Sequence, residues 1–317
     1  MLETYSFPEE KETIMKKFHN YSLKNANDLW MIKPKLGSLG SNIRILKDIS
    51  SINLKNYILT KYLTNPYLIR GYKNDFRFHG LVTSIKPLKL YLYNEGFVRL
   101  ASEKYNLSVS FNQNDFAILT NIFINMKNKN SYKYPINISN IEESNLWNFE
   151  TFQKYCENND INYNKIFSEV GDIFIKTMLS VRGKLIENIK KYKLNYSNFY
   201  HLIGFDIIFD ENLKPYLLET NRRCSFRYDN VAEKSYVYNI IADTLNIVGI
   251  IPDLKFDYRN KKNGLKDILE QNLCELYRPR GGYKLIFPLK NNVDKYKKFY
   301  GENIPEEDKE LWKNLIE

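Results

Sequence analysis

The residues best suited to chemistry are Asp206, Glu219 and Asn221, which stand in the stretch GFDIIFDENLKPYLLETN, residues 204–221. Two strand-like runs flank a short polar loop here, so the stretch reads as an antiparallel hairpin. With Glu211 to Lys214 as the loop, Asp206 is expected directly opposite Glu219, both side chains on one face. Asn221 lies two residues further on, and the strand period of two puts it on that face as well. Carboxylates side by side repel each other and want a cation. With the amide they form an oxygen-only set that suits Mg²⁺, which usually takes its remaining ligands from water and substrate phosphates. The alternative is a pair of solvated carboxylates on an outer sheet face. Against it, Phe205, Ile207, Ile208, Leu217 and Leu218 make the hairpin too apolar for an exposed ribbon, so its polar face is expected to line a cleft.

Cations accompany these acids. Lys73, Asp75 and Arg77 alternate along GYKNDFRFHG, so one strand displays a cation, an anion and a guanidinium on one face, with Asn74 and Phe76 on the other. An ordinary half-buried strand shows the same alternation. Arg99, in EGFVRLAS, supplies a second guanidinium able to grip an anion through two bonds. Lys33 ends the run LWMIK, just before PKLGSLGSN. A lysine followed by a Gly/Ser loop can surround phosphates with an ammonium and backbone N–H groups; the loop lacks the Walker ending, and a plain surface turn is the other reading.

The elements that must position these groups follow from periodicity. Between Leu29 and Leu100, the runs LWMIK, NIRIL, YILTKYL, KNDFRFHGLVTS, LKLYLY and GFVRLAS read as strands of a largely antiparallel sheet. Residues 123–145, rich in Asn, Lys and Ser, read as a surface excursion. Trp147 to Glu157 is predicted helical. A longer helix follows, with Ile166, Val170, Ile173, Phe174, Met178, Val181, Leu185 and Ile189 as its buried stripe. Strands at 199–210 and 215–221 precede a helix whose apolar face is Val237, Ile240, Ile241, Leu245 and Val248, and GGYKLIFPL is a last strand. Residues 1 to about 29 read as a short helix or an arm, within the boundary error of such readings.

Composition sets the frame. With 317 residues, 43% of them hydrophobic, the chain can bury a core for one large domain or two lobes sharing a cleft. No apolar run approaches the roughly 20 residues of a membrane helix, so no membrane partner is expected. Met1 to Glu12 carries four acidic residues and no apolar core of a signal, which points to an intracellular protein. Cys156, Cys224 and Cys274 are widely spaced, as reduced thiols rather than a zinc or disulfide set. Lys and Arg outnumber Asp and Glu by 47 to 37, a net +10 that attracts acidic partners; no nucleic-acid motif accompanies the charge.

Taken in order, WMIKP, KYLTNPYLIRGYKNDFR, PLKLYLYNEGFVRLASEKY, LTN at 119–121, GFDIIFDENLKPYLLETN and GGYKLIFP resemble the tubulin tyrosine ligase-like family. The resemblance implies an α+β ATP-grasp fold, two lobes of mostly antiparallel sheet plus helices enclosing a nucleotide cleft. It divides the chain into a lead-in at 1–29, a catalytic region at 30–250 and a C-terminal segment at 251–317 packing on it. It implies that Lys33 and Lys73 touch ATP phosphates and that the backbone of Lys61, Tyr62 and Leu63 bonds the adenine. Asp75 and Arg77 would face the nucleotide and reacting centre, Arg99 would hold a carboxylate substrate, Asn121 would lie in the site, and Asp206, Glu219 and Asn221 would hold Mg²⁺. The implied activity is ATP-dependent ligation of an amino acid (glutamate first, tyrosine or glycine otherwise) to an acidic protein through an acyl phosphate. The tubulin C-terminal tails would be the acceptor and the cytoplasm, on microtubules, the location. An acidic non-tubulin substrate, or an inactive relative that only binds an acidic partner, are the other readings. Gly40, Ser41, Asn42 and Ile43 stand where the family has Gly-Arg-Gly-Ile, Ile118 stands where it has histidine, and the lead-in is shorter than its usual N-terminal lobe.

Overall fold

The computed structural model describes residues 2–14, 16, 29–36, 42–46, 55–107, 115–135, 138–194, 196, 199–224, 226, 231–249, 272–276, 278–301 and 303–315. The altered loop at 37–41 lies outside them. The chain divides into two compact units, one of Met1–Arg77, Phe97–Phe152 and Asp206–Glu219, the other of Phe78–Gly96, Gln153–Phe205 and Thr220–Glu317.

In the first unit, β1 (Thr4–Ser6), β4 (Tyr57–Lys61), β2 (Trp30–Pro34) and β3 (Arg44–Leu46) form an antiparallel sheet in that order. The alternation of WMIKP sends Trp30 and Ile32 inward, where they pack with Leu59, Phe7 and Ile14. Within the lead-in, Thr4–Ser6 thus belong to the sheet, Phe7 and Ile14 to its core, and residues 11–14 are helical, in line with the short-helix reading. Beyond it, β5 (Leu68–Ile69) turns back into β6 (Tyr72–Ile85), whose first half pairs with β8 (Phe97–Leu100), and β8 pairs with β9 (Leu146–Asn148). Phe76 anchors this layer edge-on to Phe152 and Phe209, at 4.7 and 4.9 Å between ring centres.

Two sequence expectations change here. Trp147 belongs to β9, and the helix, α3 (Phe149–Asn158), begins two residues later. Its Nε1 reaches the carbonyls of Glu142 and Ser144, which ties the strand to the preceding 3₁₀ turn. The polar stretch 123–145 is not merely a surface excursion: Asn125, Ser144 and Asn145 are buried. Asn125 Oδ1 accepts from Ser102 N–H and Oγ at 2.8 Å, and Asn145 donates to Ala101 C=O. Polar side chains replace missing ladder bonds for a segment that has no regular partner strand.

In the second unit the latter half of β6 pairs with β7 (Leu88–Tyr93), and β7 with β12 (Tyr283–Phe287), all antiparallel. Every residue of β7 is buried, the signature of a strand covered on both faces. The predicted long helix is α4 (Tyr163–Lys191), started by Asn162, whose side chain accepts from Lys165 N–H at 3.0 Å. Gly80 lets it approach: a Cβ there would lie 2.2 Å from the Phe174 ring. The buried stripe holds as far as Met178 and Leu179, then Arg182 is buried and Val181 is 40% exposed, because the helix runs past the sheet it covers. In α5 (Val231–Val248), Tyr236, Val237, Ile240, Thr244 and Ile247 face inward and Ile241 is 37% exposed, a rotation of the expected face. β10 (His201–Phe209) lies between β6 and β11 (Pro215–Asn221) in the sheet; all three strands carry residues of both units.

Candidate active site

The alternation of β6 delivers what the sequence promised: Phe76 enters the aromatic core, while Lys73, Asp75 and Arg77 each meet a charged or polar partner. Asp75 stands directly across the ladder from Arg99, whose Nε donates to it at 2.5 Å. Arg99 Nη2 also reaches Asp206 Oδ2 at 2.8 Å, and Arg77 grips Asp206 with Nε and, at 3.0 Å, Nη2. Three strands thus place two carboxylates and two guanidiniums in one buried cluster of the first unit.

Its electrostatics follow from this sharing. Burial pushes the Asp206 carboxyl up, but the charge of Arg99 with the bonds from Arg77 holds it well below the usual carboxylate range. Asp75 goes the other way: burial and the neighbouring Asp206 charge outweigh Arg99 and raise it. Thr120 Oγ1 donates to Asp75 as well.

Lys73 forms a second group. It is 5% exposed, and its Nζ donates to Tyr62 OH and Ile118 C=O, both at 2.8 Å. Burial brings its pKa down to about 7, with Asp75 pulling it up and Lys33 pushing it further down. Lys33, at the end of β2, is therefore close enough for its charge to be felt. Tyr62 OH also donates to Ile118 C=O at 3.1 Å, so one hydroxyl orients the lysine.

The remaining expected residues divide. The Lys61 N–H bonds Glu3 C=O and the Tyr62 N–H bonds Leu29 C=O, each at 2.8 Å, because the strand that carries them lies inside a sheet. An adenine therefore cannot use those two donors; the Leu63 N–H and the carbonyls of the segment are what remains. Asn121 is the N-cap of the short helix α2 (Ile122–Asn125) and accepts from Phe123 N–H and Ile124 N–H at 3.0 and 3.3 Å. Its neighbour Thr120 is the residue of Leu-Thr-Asn that reaches Asp75. The sequence offered no way to choose between them, since α1 (Asp115–Ile118) and α2 are four residues each, too short to show a period.

The hairpin also differs in detail. Asp210 N–H bonds Lys214 C=O and Leu213 N–H bonds Asp210 C=O, with Leu213 at φ +61°, so Leu213 and Lys214 together face Asp210. The turn thus closes on Asp210 with Lys214, where the sequence reading closed it on Asp210 with Pro215. Asp206 is buried, Glu219 exposed, and Asn221 half-buried two residues further along β11. Among the described residues, no three His, Cys, Asp or Glu side chains gather as a metal set.

The cluster nonetheless fits an ion-bearing nucleotide. A carboxylate offers about four lone-pair directions, of which the guanidiniums use three on Asp206, and it stays ionised as a hard-metal ligand must. Lys73, Lys33, Arg77 and Arg99 would supply cations for phosphates.

An α+β protein of antiparallel sheets carrying this cluster is ATP-grasp-like. The model described as "Tubulin-tyrosine ligase family" matches residues 1–257, and the chain belongs to that family. It is 30% identical over 256 residues to mouse tubulin monoglutamylase TTLL4 and 30% over 311 residues to human tubulin polyglutamylase TTLL6, covering 80% and 89% of this chain. To the probable alpha-tubulin polyglutamylase Ttll1 of Tetrahymena thermophila it is 31% identical over 270 residues, 79% of this chain. The matches span 21%, 34% and 60% of those relatives' own lengths. No helix among the described residues is long and apolar enough to cross a membrane.

Proposed function

We propose that this chain is an ATP- and Mg²⁺-dependent amino-acid ligase that joins glutamate to a carboxylate of an acidic protein, with tubulin as first candidate and the microtubule as its place of work. The observation that carries the reading is the buried Asp75–Arg99–Asp206–Arg77 cluster, formed by strands whose motifs match the family's. The names of the relatives favour glutamate over tyrosine or glycine.

Asp206, with Glu219 and Asn221 along β11, would hold the magnesium ion. When bound there, magnesium would supply positive charge against that of the phosphates. The chain's own groups do the rest. Lys73, held by Tyr62 and Ile118, and Lys33 would face the nucleotide phosphates; Leu63 N–H would meet the adenine. Arg77 and Arg99 oppose negative charge as a carboxylate oxygen takes the phosphoryl group, and again as the amine attacks the carbonyl carbon and phosphate leaves. Fixed cations need no reorganisation during the reaction. Asp75, bonded to Thr120 and Arg99, keeps the guanidinium aimed.

The test is to incubate the chain with Mg-ATP, tubulin and glutamate, tyrosine or glycine in parallel, and to read the mass added to the tubulin tails. Glutamate addition that disappears in Asp206→Asn is the expected result. Modification of another acidic protein beside unchanged tails would move the acceptor, and the absence of both product and Mg-ATP stabilisation would overturn the ligase reading.

A further inference from the structure

The second unit holds a cavity of about 380 Å³ that the ligase reading leaves unused, a volume within the roughly 300–1,000 Å³ of small-molecule sites. Residues of α3, of the first turn of α4, of the turn after β7 and of β12 wall it. Its depth is neutral. Cys156 is fully buried and Phe167 nearly so, and burial pushes the Cys156 thiol and the Tyr163 phenol up to about 12. The Tyr163 ring lies 6.2 Å from that of Phe167, and Gln153 lies against its hydroxyl. Neither the thiol nor the phenol can therefore offer a ligand a charge near neutral pH.

The rim carries the charges. Lys284, in β12, places its Nζ 5.1 Å from the centre of the Phe167 ring, and Glu157, near the end of α3, lines the same cavity. Both are exposed, and among the described residues neither has an ion-pair partner, the other included. Four carboxamides join them: Asn94, Gln153, Asn162 and Asn164. Asn162 is spent on the Lys165 N–H and Gln153 on Tyr163. The exposed carboxamides of Asn94 and Asn164 bond no other group among the described residues. Asn94 is held in place by its N–H bond to Gly282 C=O at 2.8 Å. A Cβ on Gly282 would lie 2.4 Å from Asn94 Oδ1, so any other residue there would displace that side chain.

An ammonium and a carboxylate that line one cavity without neutralising each other suit a ligand bearing both charges; a simple anion would meet Glu157, and a simple cation Lys284. A carboxamide offers a donor and an acceptor side by side, and so pairs well with another carboxamide. We propose that this cavity binds a free α-amino acid with a carboxamide side chain, its carboxylate on Lys284, its ammonium on Glu157 and its side-chain amide on Asn94 and Asn164. No residue of the carboxylate cluster lines the cavity, so this is a second site with its own ligand.

The probe is L-glutamine, titrated against the whole chain by ligand-observed NMR. Lys284→Met and Glu157→Gln are each expected to weaken binding about tenfold, the loss of one charge-assisted bond, and Asn164→Ala several-fold. All three side chains are exposed, so the urea denaturation midpoints should stay at the parent value. N-acetyl-L-glutamine, which lacks the ammonium, and L-glutaminamide, which lacks the carboxylate, should fail to compete. Asp206→Asn, in the other unit, should leave the affinity for L-glutamine unchanged. L-glutamine that does not bind, or an N-acetyl compound that binds as well, overturns the proposal. So does affinity lost in Asp206→Asn and kept in Lys284→Met, or tighter binding of inorganic phosphate that Lys284→Met abolishes. A chain that binds L-glutamine as expected but makes no ligation product would keep this site and sink the ligase reading.

Discussion

Each unit buries carboxylates against cations, but they do different things with them. In the second unit Asp308, of the helix α6 (Glu306–Lys313), has a fully buried side chain. It accepts from Arg182 Nη2 at 2.6 Å, Leu88 N–H at 3.0 Å and Tyr300 OH at 3.1 Å. Arg182 in turn donates to Ile85 C=O and lies 4.7 Å above the Tyr300 ring. Lys89 and Glu275 make a similar sealed pair, with Thr83 and Tyr91 on the other carboxylate oxygen. In the first unit Arg77 and Arg99 keep 18% and 12% of their side-chain surface, and two carboxylates compete for one guanidinium. A cluster whose groups are saturated and closed off is a clasp; one that leaves charge unevenly shared and in reach of solvent is a site.

The sharpest way to break that comparison is Asp308→Ala. It strands Arg182 in the interior and should cost about 3–5 kcal/mol of stability by urea denaturation, with Mg-ATP affinity unchanged in the folded fraction. Equal stability in variant and parent would show that the clasp carries no load. Asp206→Asn should do the opposite. Ligase rate falls roughly 10²- to 10³-fold, while stability changes by less than about 2 kcal/mol because water can reach the guanidiniums. A loss of stability as large as that of Asp308→Ala would erase the distinction.

Lys73 gives a pH test. Its folded pKa of about 7 lies below its unfolded value, near 10.4, so between these the unfolded chain binds more protons and stability rises with pH. Lys73→Met should lose that rise. On the proposed reading the charged form meets the phosphates, so nucleotide affinity should fall as pH passes upward through about 7, with proton uptake on binding seen by calorimetry in buffers of different ionisation heat. The groups that bear on it, Asp75, Lys33 and Tyr62, are unchanged in that experiment. The smallest effects come from Leu-Thr-Asn: Asn121→Ala should cost about 1 kcal/mol of stability as a lost cap, with the rate kept. Thr120→Val should lower the rate by leaving Asp75 a donor short. A reversed pattern would return the site role to Asn121.

Much of the fold was legible because strand period is short and robust. All six runs between Leu29 and Leu100 became strands, as did both arms of the hairpin and the strand in GGYKLIFPL. Helix faces read less well: the stripe of α4 failed beyond Leu179, and that of α5 rotated, because a helix tells which residues are apolar but not where its partner ends. The buried amides Asn125 and Asn145 were misread as surface, since polarity says nothing about whether a hydrogen-bond partner waits inside. At the site, the alternation of Lys73, Asp75 and Arg77 was readable from spacing. Thr120, the hydroxyl of Tyr62 and the committed N–H groups of Lys61 and Tyr62 were not.

By itself the sequence determined which faces of which strands hold charge, because adjacent side chains on an extended chain must point oppositely. Tertiary structure alone decided that Arg99 bridges Asp75 and Asp206 and that Thr120 bonds Asp75. Those contacts depend on which strands and turns lie side by side, and no local pattern encodes them.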